Sequence, residues 1–162
     1  MVKKNTCHPR LKIESYFDGK IIGWGYFQNR FGTVKNRFKA ILSGSLMNDT
    51  LTINEQFTDA KGDDTRRLWS IKIKESNQYE GFSQDIIGSA KGYQSGNHFH
   101  WQYSILLPVN GKQWKVNFDD HLYLQEDGIL INTATIRKWG ITIGTMTFVF
   151  IQPHKTLKAI HL

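Results

Sequence analysis

A single cysteine in 162 residues excludes an internal disulfide framework, so the fold must stand on apolar burial. Proline is scarce as well: three prolines against fourteen glycines, with aromatics at 13%, favour sheet over helix. No run of 18 apolar residues occurs, so no membrane span is expected. Lys3-Lys4 could open a secretory leader, but no apolar stretch follows them between Asn5 and Lys12. On the sequence as given, the protein is expected in the cytoplasm. A glycine-rich phosphate loop, a nucleophile motif and a metal-ligand motif are all missing, so no cofactor is expected.

Acidic residues are scarce in the first quarter. Residues 1–39 carry nine Lys or Arg against only Glu14 and Asp18, whereas the remainder is balanced and the chain totals +7. This excess makes an anionic membrane surface a candidate partner. Its simpler reading is a solvated terminus plus one exposed strand face. Nucleic acid is not expected, because the aromatics sit in apolar strand patterns and are not interleaved with the basic residues.

What is present is period-2 alternation. A chain of this length suits one domain able to bury roughly 70% of its unfolded surface. We read residues 1–9 as a flexible basic segment holding an inert Cys7, 10–152 as one domain, and 153–162 as a tail. Leu11, Ile13, Ser15 and Phe17 open the domain with apolar alternation, and Asp18-Gly19 turns the chain. In Ile21–Arg30, Gly23 and Gly25 share one face, which suggests a bend or close approach at a barrel corner. In Thr33–Met47 the residues Val34, Phe38, Ala40 and Leu42 face one way, and Lys35, Arg37 and Lys39 the other. Strands at Thr50–Phe57 and Thr65–Lys74 follow, then a meander from Gln78 to Leu124, and finally Ile129–Arg137 and Ile141–Ile151.

The dipeptide Asn110-Gly111 fixes the firmest register, since two-residue type I′ hairpins require such a pair. It places Leu107 opposite Trp114, Ile105 opposite Val116, Tyr103 opposite Phe118, and Trp101 opposite Asp120, and this face is core. The register after Asp127-Gly128 stays open, because alternative turns give opposite faces. About nine strands joined by nearest-neighbour turns, with no convincing helix, indicate an all-β antiparallel meander. We expect it to close into a lipocalin/calycin-like β-barrel of about 8–10 strands.

Charged residues also fall on the inner face. Pairing Phe57 with Arg67 sets Glu55 diagonal to Arg67, and pairing Ile73 with Tyr79 sets Arg67 opposite Asp85. Glu55, Arg67 and Asp85 then form a cluster, with Asp120 as a further inward carboxylate. Such charges must be paired, hydrated or ligand-facing. They read either as a register-fixing ion network or as a polar anchor that orients an amphiphile. A third set lies on the opposite face: His98, His100 and His121, with Asp119 nearby. Three imidazoles on adjacent strands could make a zinc site with an open position, but this face is opposite the apolar one, and surface histidines are the expected reading.

Ordered pieces of the chain carry a family likeness: Tyr16-Phe17-Asp18-Gly19, Leu51-Thr52-Ile53-Asn54-Glu55-Gln56-Phe57, Arg66-Arg67-Leu68-Trp69, Asp85-Ile86-Ile87-Gly88-Ser89-Ala90-Lys91-Gly92, Trp101-Gln102-Tyr103, Phe118-Asp119-Asp120, Asn132 and Lys138-Trp139-Gly140. From about Pro9 to Phe150 the chain resembles domain-of-unknown-function family 3833, lipocalin-like bacterial proteins of which many are lipoproteins. The resemblance implies a calycin-type barrel, hydrophobic-ligand binding and a place at the cell envelope. Cys7 lacks the apolar run that lipidation would need, and His98, His100 and His121 depart from the family pattern.

The expected function is non-enzymatic binding of a small hydrophobic or amphiphilic molecule, fatty acyl or lipid-like, in the lumen. Phe57, Trp69, Trp101, Tyr103, Trp114 and Phe118 would line the apolar part, and Glu55, Arg67, Asp85 and Asp120 would orient a polar head, with Arg67 receiving an anionic one. Two alternatives stand beside it. One is an enzyme using the inward carboxylates or the histidines, and the other is a structural envelope or membrane-surface protein whose barrel is filled by its own aromatics.

Overall fold

Ten antiparallel strands follow one another around a closed wall, in the computed structural model that describes residues 9–155. They are β1 (Gly19–Asn29), β2 (Val34–Met47), β3 (Thr50–Asp59), β4 (Asp64–Ile73), β5 (Gln78–Phe82), β6 (Ala90–Ser95), β7 (His98–Val109), β8 (Lys112–Leu124), β9 (Leu130–Lys138) and β10 (Ile141–Ile151). Each strand pairs with its neighbour in sequence, and β1 closes the wall by pairing with β10. The architecture is the expected lipocalin/calycin-like barrel. Cys7 and most of the two expected tails lie outside the described residues.

The Asn110-Gly111 register is as read from the dipeptide, with Tyr103 opposite Phe118 and Trp101 opposite Asp120. Both turn residues have positive φ, 49° and 75°, as a type I′ turn demands. The paired glycines of β1 face inward. Gly23 lies opposite Phe150 and Gly25 opposite Phe148. A Cβ on Gly23 would stand 2.5 Å from the Phe150 ring, so the missing side chains let β10's aromatics lie across β1. On the outer face Trp24 and Tyr26 are exposed beside Lys39 and Arg37, which puts the basic stripe of β2 outside.

The opening segment is not a strand. Ile13–Tyr16 forms a one-turn helix, α1, with Leu11, Ile13, Tyr16 and Phe17 buried and Ser15 exposed. The apparent alternation was a helical i, i+3, i+4 spacing of Ile13, Tyr16 and Phe17. This turn closes one end of the barrel. Tyr16 shares its hydroxyl proton between the carbonyls of Gly128 (3.0 Å) and Phe150 (3.1 Å), and the Tyr79 hydroxyl donates to Glu14 at 2.8 Å. Gln152 donates to the Tyr16 carbonyl at 2.8 Å, and the Leu11 amide to the Gly96 carbonyl at 2.9 Å.

The opposite end carries the β1–β2, β3–β4, β7–β8 and β9–β10 turns. Between β4 and β7 the wall is incomplete there, because β5 and β6 are only five and six residues long. The segment 83–89 crosses this gap as a strap, joined to β7 by a bridge between Ile86 and Ile105 and by an Ile87 amide bond to the Ser104 carbonyl (2.8 Å).

Candidate functional site

The barrel holds a cavity of about 470 Å³, within the range of small-molecule sites. Its aromatics line this space without filling it. Glu55, Phe57, Arg67 and Trp69 reach it from β3 and β4; Trp101, Tyr103, Phe118 and Asp120 reach it from β7 and β8. Two expected members do not line it. Trp114 packs on the smaller cluster of Ile105, Val116 and Ile136, with the Lys138 ammonium 3.1 Å above its ring. Asp85 sits in the strap, outside the sheet.

The two registers assumed for the charged cluster fare differently. Phe57 pairs with Thr65, not Arg67, because the β3–β4 hairpin is two residues tighter. Glu55 therefore stands directly opposite Arg67. Ile73 does pair with Tyr79, but β4–β5 pairing ends at Ser70 and Phe82, so Asp85 is never a cross-strand partner. It still meets Arg67 by folding back on the strap, with Nε 3.1 and 2.9 Å from the two carboxylate oxygens and Nη2 2.7 Å from Oδ2.

This fork-to-carboxylate pair is the strap's polar fastening, since Ser83 Oγ also donates to Asp85 at 3.0 Å. Replacing Asp85 with asparagine removes the charge assistance. We expect amide exchange at Ile87 to accelerate about tenfold, the worth of roughly 1.4 kcal/mol of local opening, while the β7–β8 amides keep their protection. Unchanged exchange at Ile87 would show that the Ile86–Ile105 bridge alone holds the strap.

Inside the wall, two carboxyls sit in surroundings that oppose charge. Burial pushes Glu55 up to about 7, although Arg67 and a hydrogen bond from Trp69 pull the other way. Burial, reinforced by Glu55 across the lumen, pushes Asp120 up to about 8. Burial also holds the Tyr103 hydroxyl protonated, well above the usual phenol range. Arg67 stays charged against its own desolvation because Tyr103, Glu55 and Asp85 surround it, and its guanidinium lies 5.6 Å from the Trp69 ring centre and 5.8 Å from that of Tyr103. Asp85, more exposed, is held below the usual carboxylate range because its burial is outweighed by the hydrogen bonds and charge of Arg67 together with the Ser83 hydroxyl.

Sequence reasoning missed the far wall. Asn132, Ala134, Met146, Phe148 and Phe150 of β9 and β10 all line the cavity. In the sequence Asn132 stands out only as part of the family likeness. Its face was undetermined because the turn after β8 left the β9 register open, and the pairing of Leu124 with Leu130 now settles it. Asn132 Oδ1 and Asp120 Oδ1 are buried with no hydrogen-bond partner among the described residues.

The histidines stand on the outer wall. His100 is directly opposite His121, and its Nε2 lies 2.5 Å from Asp119 Oδ1. His98 Nε2 is 2.8 Å from His121 Nδ1, and Arg137 donates to Asp119 Oδ2 at 3.2 Å. One ligand atom from each of His100, Asp119 and His121 lies within 4.8 Å of the others. The His100 and His121 rings, however, are stacked at 4.4 Å and 10°, so their in-plane lone pairs run parallel and do not converge on one ion. The arrangement is a stacked surface hydrogen-bond network.

No curated protein sequence matches the chain. The family model described as "Protein of unknown function (DUF3833)" matches residues 2–152, which takes in every strand and every residue of the lumen site. The chain belongs to this family of β-barrel proteins of unknown function, DUF3833.

Proposed function

We propose that the protein is a non-enzymatic binder of one small hydrophobic or amphiphilic molecule held in the barrel lumen. The observation that carries this reading is the cavity of about 470 Å³, apolar over most of its wall, with polar groups gathered around Glu55, Arg67 and Asp120. A site of that make-up gains affinity from apolar burial and orientation from few polar contacts. The same volume argues against a barrel plugged by its own side chains.

The test has two parts. Native mass spectrometry of protein purified without added ligand, repeated after denaturation, looks for a releasable adduct and gives its class. Titration with Nile red, a neutral solvatochromic dye, probes the lumen directly. Blue-shifted emission is expected to saturate at about one dye per chain, as one cavity of this size dictates. Ala134, buried on β9 and facing the cavity, is the control position. Ala134→Phe adds a ring to the lumen and should weaken the dye about tenfold or more. Near-UV circular dichroism confirms the variant's packing. Dye binding that ignores Ala134→Phe places the dye on the surface and defeats the lumen reading.

A further inference from the structure

The lumen's polar groups point to a particular ligand head. Among the described residues Arg67 is the one cation that lines the cavity, and it is already engaged. Asp85 takes its Nε and Nη2 from the strap side at 2.7–3.1 Å, and Glu55 stands opposite it across β3–β4. An anionic head entering there would compete with two carboxylates already in place. Desolvating a third anion beside them is unfavourable, because no further cation of the lining compensates it.

The unmet demand is of the other kind. Asp120 Oδ1 and Asn132 Oδ1 are the two buried side-chain atoms that lack a partner among the described residues, and both are acceptors, Asp120 Oδ1 as the carbonyl oxygen of a carboxyl whose proton sits on Oδ2. They are diagonal neighbours on the inner face of β8 and β9, since Asp120 pairs with Ala134 and Leu122 with Asn132. Asp120 is only 6% exposed and lies beside Trp101, so bulk water does not satisfy it freely. A buried acceptor without a donor is costly, and a native structure that keeps two side by side in a cavity leaves them for something else to fill.

We infer that the polar head of the lumen ligand is a hydrogen-bond donor, a hydroxyl or an ammonium, received by Asp120 and Asn132, and not an anion received by Arg67. Tyr103 and Glu55 complete the polar end of the cavity. The rest of the molecule is an alkyl or similar apolar body, lying along the aromatic wall towards Phe148 and Met146. The inference rests on the lumen-binding reading and narrows its ligand class. It also departs from the expectation that Arg67 receives an anionic head group. Arg67 here fastens the strap and balances Glu55.

The two donor heads differ in proton balance. An alcohol donates one hydrogen bond and leaves the carboxyls as they are. An ammonium group brings a full charge next to Asp120, which is largely protonated at neutral pH. The stable arrangement is then the ion pair, and Asp120 gives its proton to the buffer as the amine binds.

The experiment is displacement of Nile red at pH 7 by a matched ten-carbon series: decylamine, 1-decanol and decanoate, below their aggregation concentrations. The amine and the alcohol are expected to bind about tenfold or more tighter than the carboxylate, the scale of one hydrogen bond to a buried acceptor. Calorimetry in buffers of different ionisation enthalpy should find release of about one proton with the amine and none with the alcohol. Asp120→Asn should abolish the proton release, and Asp120→Leu should erase the preference for donor heads. The asparagine variant keeps the test sound if the leucine variant does not fold. Decanoate binding as tightly as decylamine, or three equal affinities, would overturn the inference and leave lumen binding standing. Failure of the parent protein to bind Nile red at all would instead overturn the lumen reading itself.

Discussion

Replacing Gly44 with alanine is expected to lower the melting temperature by about 6–12 °C, the equivalent of roughly 3 kcal/mol in a chain of this size. Gly44 lies on β2, paired with Gly19 and Ile53, and its α-carbon faces the segment that closes the barrel. A Cβ built there falls on the Phe17 carbonyl group, well inside van der Waals contact. The obstacle is backbone, so no rotamer change relieves it. Either β2 bends outward or the α1 plug moves away from the wall. The plug is the softer partner, since it is a single helical turn tied by side-chain bonds from Tyr16, Tyr79 and Gln152. Displacing it uncovers Leu11, Ile13 and Phe17 and unmakes the Tyr16 bonds to Gly128 and Phe150. Hydrogen exchange supplies the local readout. The amides of Leu11, Tyr16 and Phe17, each bonded within the plug or to the neighbouring turn, should lose protection first. Ser45→Ala, one residue on and exposed, should stay within about 0.5 kcal/mol of the parent. A melting temperature unchanged by Gly44→Ala would mean that the plug is not seated against β2.

The plug also marks where sequence reading reaches its limit. Strand order and the β7–β8 register were legible because alternation and the Asn110-Gly111 dipeptide are local signals, whereas the count of about nine strands fell short of the ten present. Trp101 beside Asp120 followed directly from them. The Leu11–Phe17 segment misled because four residues fit two periods equally well over so short a span. The charged cluster was legible in composition but not in geometry. Glu55 and Arg67 were placed on neighbouring strands with a register two residues out, since a β3–β4 hairpin rich in Asp and Gly accepts several loop lengths. Asp85 reached Arg67 by a route that alternation cannot encode, a strap folded over a gap left by two short strands. Gly81 and Gly92 were a missed clue. A Cβ on Gly81 would stand 2.5 Å from the Trp101 indole, and one on Gly92 2.6 Å from the Phe99 ring, so both clear space for the aromatic wall. Asn132 had no periodic signal at all, because its face depended on a turn whose length the sequence leaves open.

Stability should fall by about 3 kcal/mol between pH 6.5 and 8.5, an unusual direction for a chain whose other perturbed carboxylates are shifted downward. The cause is the pair of lumen acids. Unfolded, Glu55 and Asp120 ionise near pH 4; folded, burial holds them protonated to about 7 and about 8. Across this window the native state binds protons that the unfolded chain has already released, so each pH unit removes up to about 1.4 kcal/mol per group. The loss ends once the pH passes the folded values. The opposing groups act elsewhere: Asp59, Asp85 and Asp119 are shifted down and matter only in acid. His98, shifted down by burial and by its histidine neighbours, adds stability as pH rises through the ordinary histidine range, against the trend set by the lumen acids. Asp120→Asn carries no proton to lose. The difference between its stability and the parent's should widen in the variant's favour by about 2 kcal/mol from pH 6.5 to 8.5, the share that belongs to Asp120. Urea denaturation at the two pH values measures this, and the widening is independent of any constant cost of the amide. Parallel curves for the two proteins would mean that Asp120 is ionised in the native barrel. A chain that keeps two acids in an apolar lumen forgoes stability at neutral pH. A ligand that donates to Asp120 offsets the same penalty, so saturating decylamine should flatten the parent's pH dependence towards that of the variant.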